Sequence, residues 1–217
     1  MVVAIDGPAG TGKSTISRRI ADAAGFFYLN SGRFYRAITW TALARGLSPE
    51  NRHALIRTAE TISIELRGDQ YLIDGVARDR ELHAPAVDQA VAQVSAIPEV
   101  REAVNRRVRE IAGTRDIVVE GRDMSTVVFP EAEVKIYLDA DLGERARRRH
   151  AQQPDADFSE ILEAITTRDR VDTTKETGRL ERRPDARYID TTHLTIDRVC
   201  EMVVGIIHEK QDHGRSS

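Results

Sequence analysis

Apolar positions follow two rhythms along this chain, and the rhythms alternate. Short apolar runs at Val2 to Ile5, Phe26 to Leu29, Ile117 to Val119 and Val134 to Leu138 suit strands, and Tyr188 to Asp190 returns as a last one. Between them the apolar residues fall at helical spacing: Ile16, Ile20 and Ala23; Val87, Ala90, Val91 and Val94; Val100, Val104, Val108 and Ile111; Ile161, Leu162 and Ile165; and Ile196 to Ile207. Strands that alternate with helices predict an α/β fold, a parallel sheet flanked by helices.

Local signals place the joints. Gly25 and Gly113 close helices, Gly46 and Pro49 end the helix begun at Ser31, and Pro98 starts another. Ser31, Asp141 with Glu144, Asp157 with Glu160, and Thr195 read as helix starts, and His53 to Glu60 as a short helix. One stretch breaks the rhythm. Ile62 to Leu66 alternates apolar and polar residues, Gly68 and Asp69 supply a turn, Tyr71 to Ile73 form a further strand, and Asp74-Gly75 is a hairpin signal. A small antiparallel meander is therefore expected inside the α/β pattern. Thr173 to Pro184 is polar and aperiodic, as in a mobile segment, and the chain is expected to fray after Lys210.

The joint between the first strand and the first helix carries the chemistry. Gly7-Pro8-Ala9-Gly10-Thr11-Gly12-Lys13-Ser14, followed by Thr15, reads G-x-x-x-x-G-K-[ST], a phosphate-binding loop in its required context. Its glycines let successive backbone N–H groups converge on phosphate oxygens, and the helix N-terminus adds partial positive charge. Lys13 would reach the β and γ phosphates, and Ser14 would offer its hydroxyl to Mg²⁺. ATP or GTP binding is the expectation.

Composition narrows the rest. The chain has 217 residues, 41% hydrophobic and 31% charged, enough for one domain with a proper core. A net charge of -3 gives no sign of a nucleic-acid or membrane surface. The single cysteine, Cys200, excludes an intrachain disulfide, sits on an apolar helix face, and fits a reducing, cytoplasmic setting. No run reaches membrane-spanning length and no signal-peptide layout is seen. Lysine occurs only at 13, 135, 175 and 210, the other basic residues being arginine. The six histidines show no ligand or triad spacing.

A phosphate loop alone does not separate a kinase from a switch or a motor. No asparagine precedes a lysine, so the guanine-reading N-K-x-D motif is missing, and the chain is short for a motor with its partner surface. Arginines recur in several loops that could ring a second anionic substrate. Phosphoryl transfer asks for two substrates in line, charge neutralisation and exclusion of water, which favours a kinase.

The residues then converge on a family. IDGPAGTGKST, NSGRFYR, AIPEVREAVNRR, VEGRDMSTVVFPEAEVKIYLDA, ERARRR, RDRVD and YIDTT, in this order through nearly the whole chain, resemble bacterial cytidylate kinase, a nucleoside monophosphate kinase. The resemblance implies a P-loop core (1–30, 113–150 and 185–217), a monophosphate-binding insertion (31–112) and a lid (151–184). It implies transfer of the γ-phosphoryl of ATP to CMP or dCMP with Mg²⁺; the sequence does not fix the oligomeric state, and a monomer, which suits a closing two-substrate kinase, is the expectation. Ser31, Tyr35, Arg36 and Arg122 would line the monophosphate site, and Arg101 and Asp123 would read cytosine. Arg168, Asp172 and Lys175 would hold sugar and phosphate, and Arg148 or Arg149 would belong to the lid over ATP. Lys13, Arg122 and Arg168 would stabilise the phosphoryl in transit.

From the residues alone, Asp123 is open between reading the base and arranging Mg²⁺-bound water, and Arg101 between reading the base and a solvated helix face. The blander alternative for Arg36 and Arg122 is a surface ion pair, against which their motifs stand. The chain departs from the family pattern at Ala92, where serine is frequent, at Lys175, where arginine is usual, and at Arg179, where proline is common. Other small anionic acceptors, such as UMP or shikimate, and a nucleotide-dependent switch are the rival readings.

Overall fold

The computed structural model describes residues 1–68 and 70–215; Asp69, expected in a turn with Gly68, lies outside them. The chain divides into two compact units. The first comprises Met1–Leu29, Ala112–Thr174 and Gly178 onward, and the second Asn30–Ile111 with Lys175–Thr177.

In the first unit, β1 (Val2–Asp6), β2 (Phe27–Asn30), β6 (Ile117–Gly121), β7 (Val134–Asp139) and β8 (Arg187–Asp190) form a five-stranded sheet in the order β2-β6-β1-β7-β8. β1 runs parallel to both neighbours, and β7 to β8. A central parallel strand is covered on both faces, and Val3, Ala4 and Ile5 are accordingly buried. The register sets Asp6 opposite Gly121 on one side and Tyr137 on the other, so β1, β6 and β7 deliver their next residues to one edge. Ligands of open α/β sheets bind at that edge.

Helices α1 (Lys13–Ala24) and α8 (Ile196–Arg215) pack against each other. Ile16 and Ile20 join Val199, Val203 and Ile207 in one apolar cluster with Val3, Ile5, Ile136 and Leu138. Each such buried side chain stabilises the fold by roughly 1.5–3 kcal/mol. Cys200 is half-buried against this cluster. α6 (Leu142–Gln152) and α7 (Phe158–Thr174) make a smaller cluster around Ala146, Ile161 and Ile165.

The expected caps form: Asp141 accepts from the Glu144 amide at 3.1 Å, Asp157 from Ser159 at 2.8 Å, and Thr195 from Arg198 at 3.2 Å. α7 absorbs Thr173 and Thr174 from the stretch read as aperiodic, their hydroxyls donating back to helix carbonyls. α8 is helical through Arg215.

The second unit holds α2 (Ser31–Ala44), α3 (Arg52–Thr61), α4 (Pro85–Ser95), most of α5 (Pro98–Ala112), and a sheet of β3 (Ile64–Arg67), β4 (Gln70–Ile73) and β5 (Val76–Ala77). This sheet is antiparallel. Asp74 and Gly75 both take positive φ, 48° and 80°, the turn that suits a two-residue hairpin. Ile62 caps α3, its amide bonded to Thr58, so β3 starts two residues later than the alternation suggests. The Tyr71 hydroxyl bonds both the amide and the carbonyl of Asn30 at 3.0 Å, and its ring meets Phe34 edge-on.

Ser31 is not the N-cap of α2. Asn30 holds that place in extended conformation without a side-chain cap bond, and Ser31 is the helix's first, buried residue. The NSG sequence contains two good capping residues in succession, and propensity alone does not choose between them. Among the described residues, no helix is long and apolar enough to cross a membrane.

Candidate nucleotide-binding site

The loop that leaves β1 at the sheet edge is shaped by positions where a side chain cannot fit. Gly7 has φ +151°, and a Cβ there would fall 2.0 Å from the carbonyl oxygen of Leu138. Gly10, at φ +81°, lies against Arg145, whose Cβ would be 3.0 Å from an added methyl.

The loop's carbonyls are tied down by side chains. Pro8 accepts from the Lys13 ammonium at 2.5 Å and the Thr11 hydroxyl at 3.2 Å. Ala9 accepts from Arg145 at 3.1 Å, and Thr11 from the Thr191 hydroxyl at 3.2 Å and Arg148 at 3.4 Å. With its carbonyls held this way, the loop can turn amides toward an anion at the start of α1, whose first turn carries no acidic residue.

Lys13 is buried, and its pKa falls well below the usual 10.5. Burial is the main cause; Arg122 and Arg168 push the same way, while Glu120 and Asp172 oppose them. The first unit thus gathers Lys13, Arg122, Arg168 and Asp172 into one electrostatic group. Nε of Arg122 donates to Asp172 at 2.7 Å. Burial works against the Arg122 cation, but the attraction and hydrogen bond of Asp172 outweigh it and raise its pKa. Ser14 and Thr15 open α1, both exposed.

Asp123 follows β6 and is 1% exposed. After it, Met124–Val128 make a single π-helical turn, with the amides of Val127 and Val128 returning to the Asp123 carbonyl at 2.9 and 3.1 Å. The turn is anchored by Asp6, which accepts from the Met124 amide, the Ser125 amide and the Ser125 hydroxyl at 2.8, 2.8 and 2.6 Å. Burial raises the Asp6 pKa against the pull of those donors. Glu120 is also buried and accepts from the Tyr28 hydroxyl at 2.5 Å.

In the second unit, α2 carries Ser31, Tyr35 and Arg36, all buried. Arg36 donates to the Leu82 carbonyl at 2.8 Å and to Asp88 at 2.6 Å. Arg101 is 3% exposed, donates to the Ser95 carbonyl at 3.0 Å, and lies over the Tyr35 ring at 5.5 Å. The solvated-face reading of Arg101 therefore does not hold. Lys175 is buried. Ala92 is in α4, its carbonyl accepting from the Ser95 hydroxyl at 2.9 Å.

Arg148, expected over ATP, has its guanidinium engaged by Glu144, Thr191 and the Thr11 carbonyl. Arg149 lies on the same helix. Arg145 is not singled out by the sequence pattern. It is buried, and it reaches the Ala140 carbonyl at 3.0 Å, the Ala9 carbonyl, and Asp169 of α7 at 2.5 Å. Nor does the pattern single out Asp6, Glu120 or Thr191. For Asp6 and Arg145 a signal existed: a carboxylate ending a buried strand, and an arginine one turn after a capping aspartate.

The cytidylate kinase family model matches residues 3–209. The chain is 40% identical to the cytidylate kinase of Caldanaerobacter subterraneus subsp. tengcongensis over 95% of its own length and 94% of that protein. It is 41% identical to that of Geobacillus kaustophilus, covering 96% of each. Among solved structures, a gluconokinase from Sinorhizobium meliloti is similar at TM-score 0.54 and 12% identity, covering 100% of this chain and 97% of that one. An uncharacterized protein from Eubacterium ventriosum is similar at TM-score 0.54 and 12% identity, covering 96% of this chain and 98% of that one. At such identities the likeness is one of fold, an α/β parallel sheet flanked by helices. The chain belongs to the cytidylate kinase family.

Proposed function

We infer that the chain is an ATP-dependent nucleoside monophosphate kinase, transferring the γ-phosphoryl of ATP to CMP or dCMP to give ADP with CDP or dCDP. The observation that carries this reading is the family match from residue 3 to 209, which takes in a phosphate loop closed around a buried lysine.

Gly7 to Thr15 hold the ATP phosphates through backbone amides and Lys13. The depressed proton affinity of Lys13 reflects burial and cationic neighbours, and an anionic phosphate beside it would offset them by favouring the ammonium. Arg122 and Arg168 share the charge that spreads over the phosphoryl in transit. No general base is assigned, because the acceptor is already a phosphate oxygen. Arg148, with α6, supports the donor loop.

The acceptor residues are assigned unit by unit. In the second unit, Ser31, Tyr35, Arg36 and Lys175 take the monophosphate and sugar, and Arg101 donates to the cytosine carbonyl or ring nitrogen. In the first, Arg122, Arg168 and Asp172 take phosphate and sugar, and Asp123 accepts from the cytosine amino group. UMP would set a carbonyl oxygen against that buried carboxylate, and such a polar mismatch discriminates strongly.

Magnesium fits this donor set. Among the described residues no group of three or more His, Cys, Asp and Glu could hold a metal alone. The ion would take the Ser14 hydroxyl, with phosphate oxygens and water, which suits its preference for keeping several waters. When bound it neutralises phosphate charge. The reading takes the protein as a monomer, because a closing two-substrate kinase works well as one, and a half-buried lone cysteine fits a reducing cytoplasm.

The test is product identification. Incubation with γ-labelled ATP and CMP or dCMP should place the label in CDP or dCDP. Label released only as inorganic phosphate, at a rate indifferent to CMP, would overturn the reading.

A further inference from the structure

We propose that Asp6 is a positioning residue for acceptor selectivity: its carboxylate fixes the backbone of Met124 and Ser125, and through it the direction of the Asp123 side chain. The proposal rests on the reading of Asp123 as the group that accepts from the cytosine amino group.

Asp6 is 0% exposed and both its oxygens are committed. Oδ1 accepts from the Met124 amide, and Oδ2 from the Ser125 amide and hydroxyl. A carboxylate so occupied is not poised to bind metal or move a proton. Its three bonds instead converge on the two residues that follow Asp123.

Asp123 needs such an anchor. Its φ and ψ, -141° and 25°, belong to no regular element, and the wide π-helical turn after it has only five residues. The bonds from Val127 and Val128 close that turn on the Asp123 carbonyl but do not fix the turn to the sheet. Asp6, ending the central strand, does. A carboxylate that must meet one amino group of a base has to be held within about 0.5 Å of its place by supporting hydrogen bonds.

The arrangement is costly in isolation. Burial and the charge of Asp123 both disfavour an ionised Asp6, which an apolar residue would avoid. The cost falls where two buried carboxylates are needed near each other, one to anchor and one to recognise. Asp6 also immediately precedes Gly7, so one residue links the donor loop to the proposed base reader.

The test compares kcat/KM for CMP and UMP in the native protein and in Asp6→Asn, Ser125→Ala and Asp123→Ala, with KM for ATP and circular dichroism alongside. Asp6→Asn sets an amide donor against a backbone N–H, and the CMP-over-UMP ratio should fall about 10-fold or more. Ser125→Ala keeps both backbone bonds; the ratio should fall about 3-fold, with KM for ATP within about 2-fold of native. A merely structural role lowers turnover of both acceptors alike and leaves the ratio intact. An intact ratio in folded Asp6→Asn and Ser125→Ala, with the ratio lost in Asp123→Ala, overturns the proposal and leaves the base-reader assignment standing. If Asp6→Asn does not fold, an intact ratio in Ser125→Ala is enough to overturn it. A ratio unchanged in Asp123→Ala removes the reading beneath.

Discussion

Nε of Arg122 lies 2.7 Å from Oδ2 of Asp172, so two residues assigned to the acceptor are paired with each other. Both are largely buried, with side-chain exposures of 17% and 5%. Removing one partner of such a pair strands the other charge. Asp172→Ala should cost about 3 kcal/mol, the lower end of the buried-pair range because Arg122 keeps some solvent. Urea unfolding measures it, and KM for CMP should rise in the same variant. Unchanged stability would mean that Arg122 finds another anion.

The depressed proton affinity of Lys13 gives ATP binding a pH signature. In the free protein, burial, Arg122 and Arg168 favour the neutral amine; a bound polyphosphate favours the ammonium. Between the lowered free value and the raised bound value, binding must take up a proton. Calorimetry in buffers of different ionisation enthalpy should therefore show proton uptake in that window. ATP affinity should weaken as pH rises through the same window. Proton release there would contradict the assignment of Lys13 to the phosphates.

Arg145 braces the donor loop from behind. One guanidinium serves the carbonyls of Ala140 and Ala9 and the Asp169 carboxylate. Arg145→Ala should raise KM for ATP about 10-fold, with KM for CMP within about 2-fold. Arg145→Lys should recover only part, because an ammonium lacks the planar fork that meets three acceptors. Steady-state kinetics in both substrates separates these outcomes. Equal rises in both KM values would place Arg145 in general stability instead.

Much of this was legible in the chain itself. The phosphate loop, the flanking strand and helix, the Asp-Gly hairpin and the caps at Asp141, Asp157 and Thr195 all depend on contacts within a few residues. What sequence could not weigh was which polar side chains turn inward. Arg101 stands in a run of mixed charge that suits a solvated face, yet it is buried on Tyr35. Arg145 stands among Arg147, Arg148 and Arg149, and only packing of α6 on the phosphate loop singles it out. Asp6 reads as a strand end, and its three donors lie 118 and 119 residues away. Ser31 reads as a cap from sequence, but Asn30, equally suited, precedes it and takes the place.

A buried Asp123 facing cytosine would make the protein a kinase selective for a cytosine monophosphate. ADP release from ATP with Mg²⁺, measured across CMP, dCMP, UMP, AMP, GMP and shikimate, tests it most directly. The account predicts strong stimulation by CMP and dCMP, weak response to UMP and none to the others. Asp123→Ala should lower CMP stimulation far more than it weakens ATP binding, leaving a turnover that no longer favours CMP over UMP. Steady ATP hydrolysis that no acceptor stimulates would contradict it.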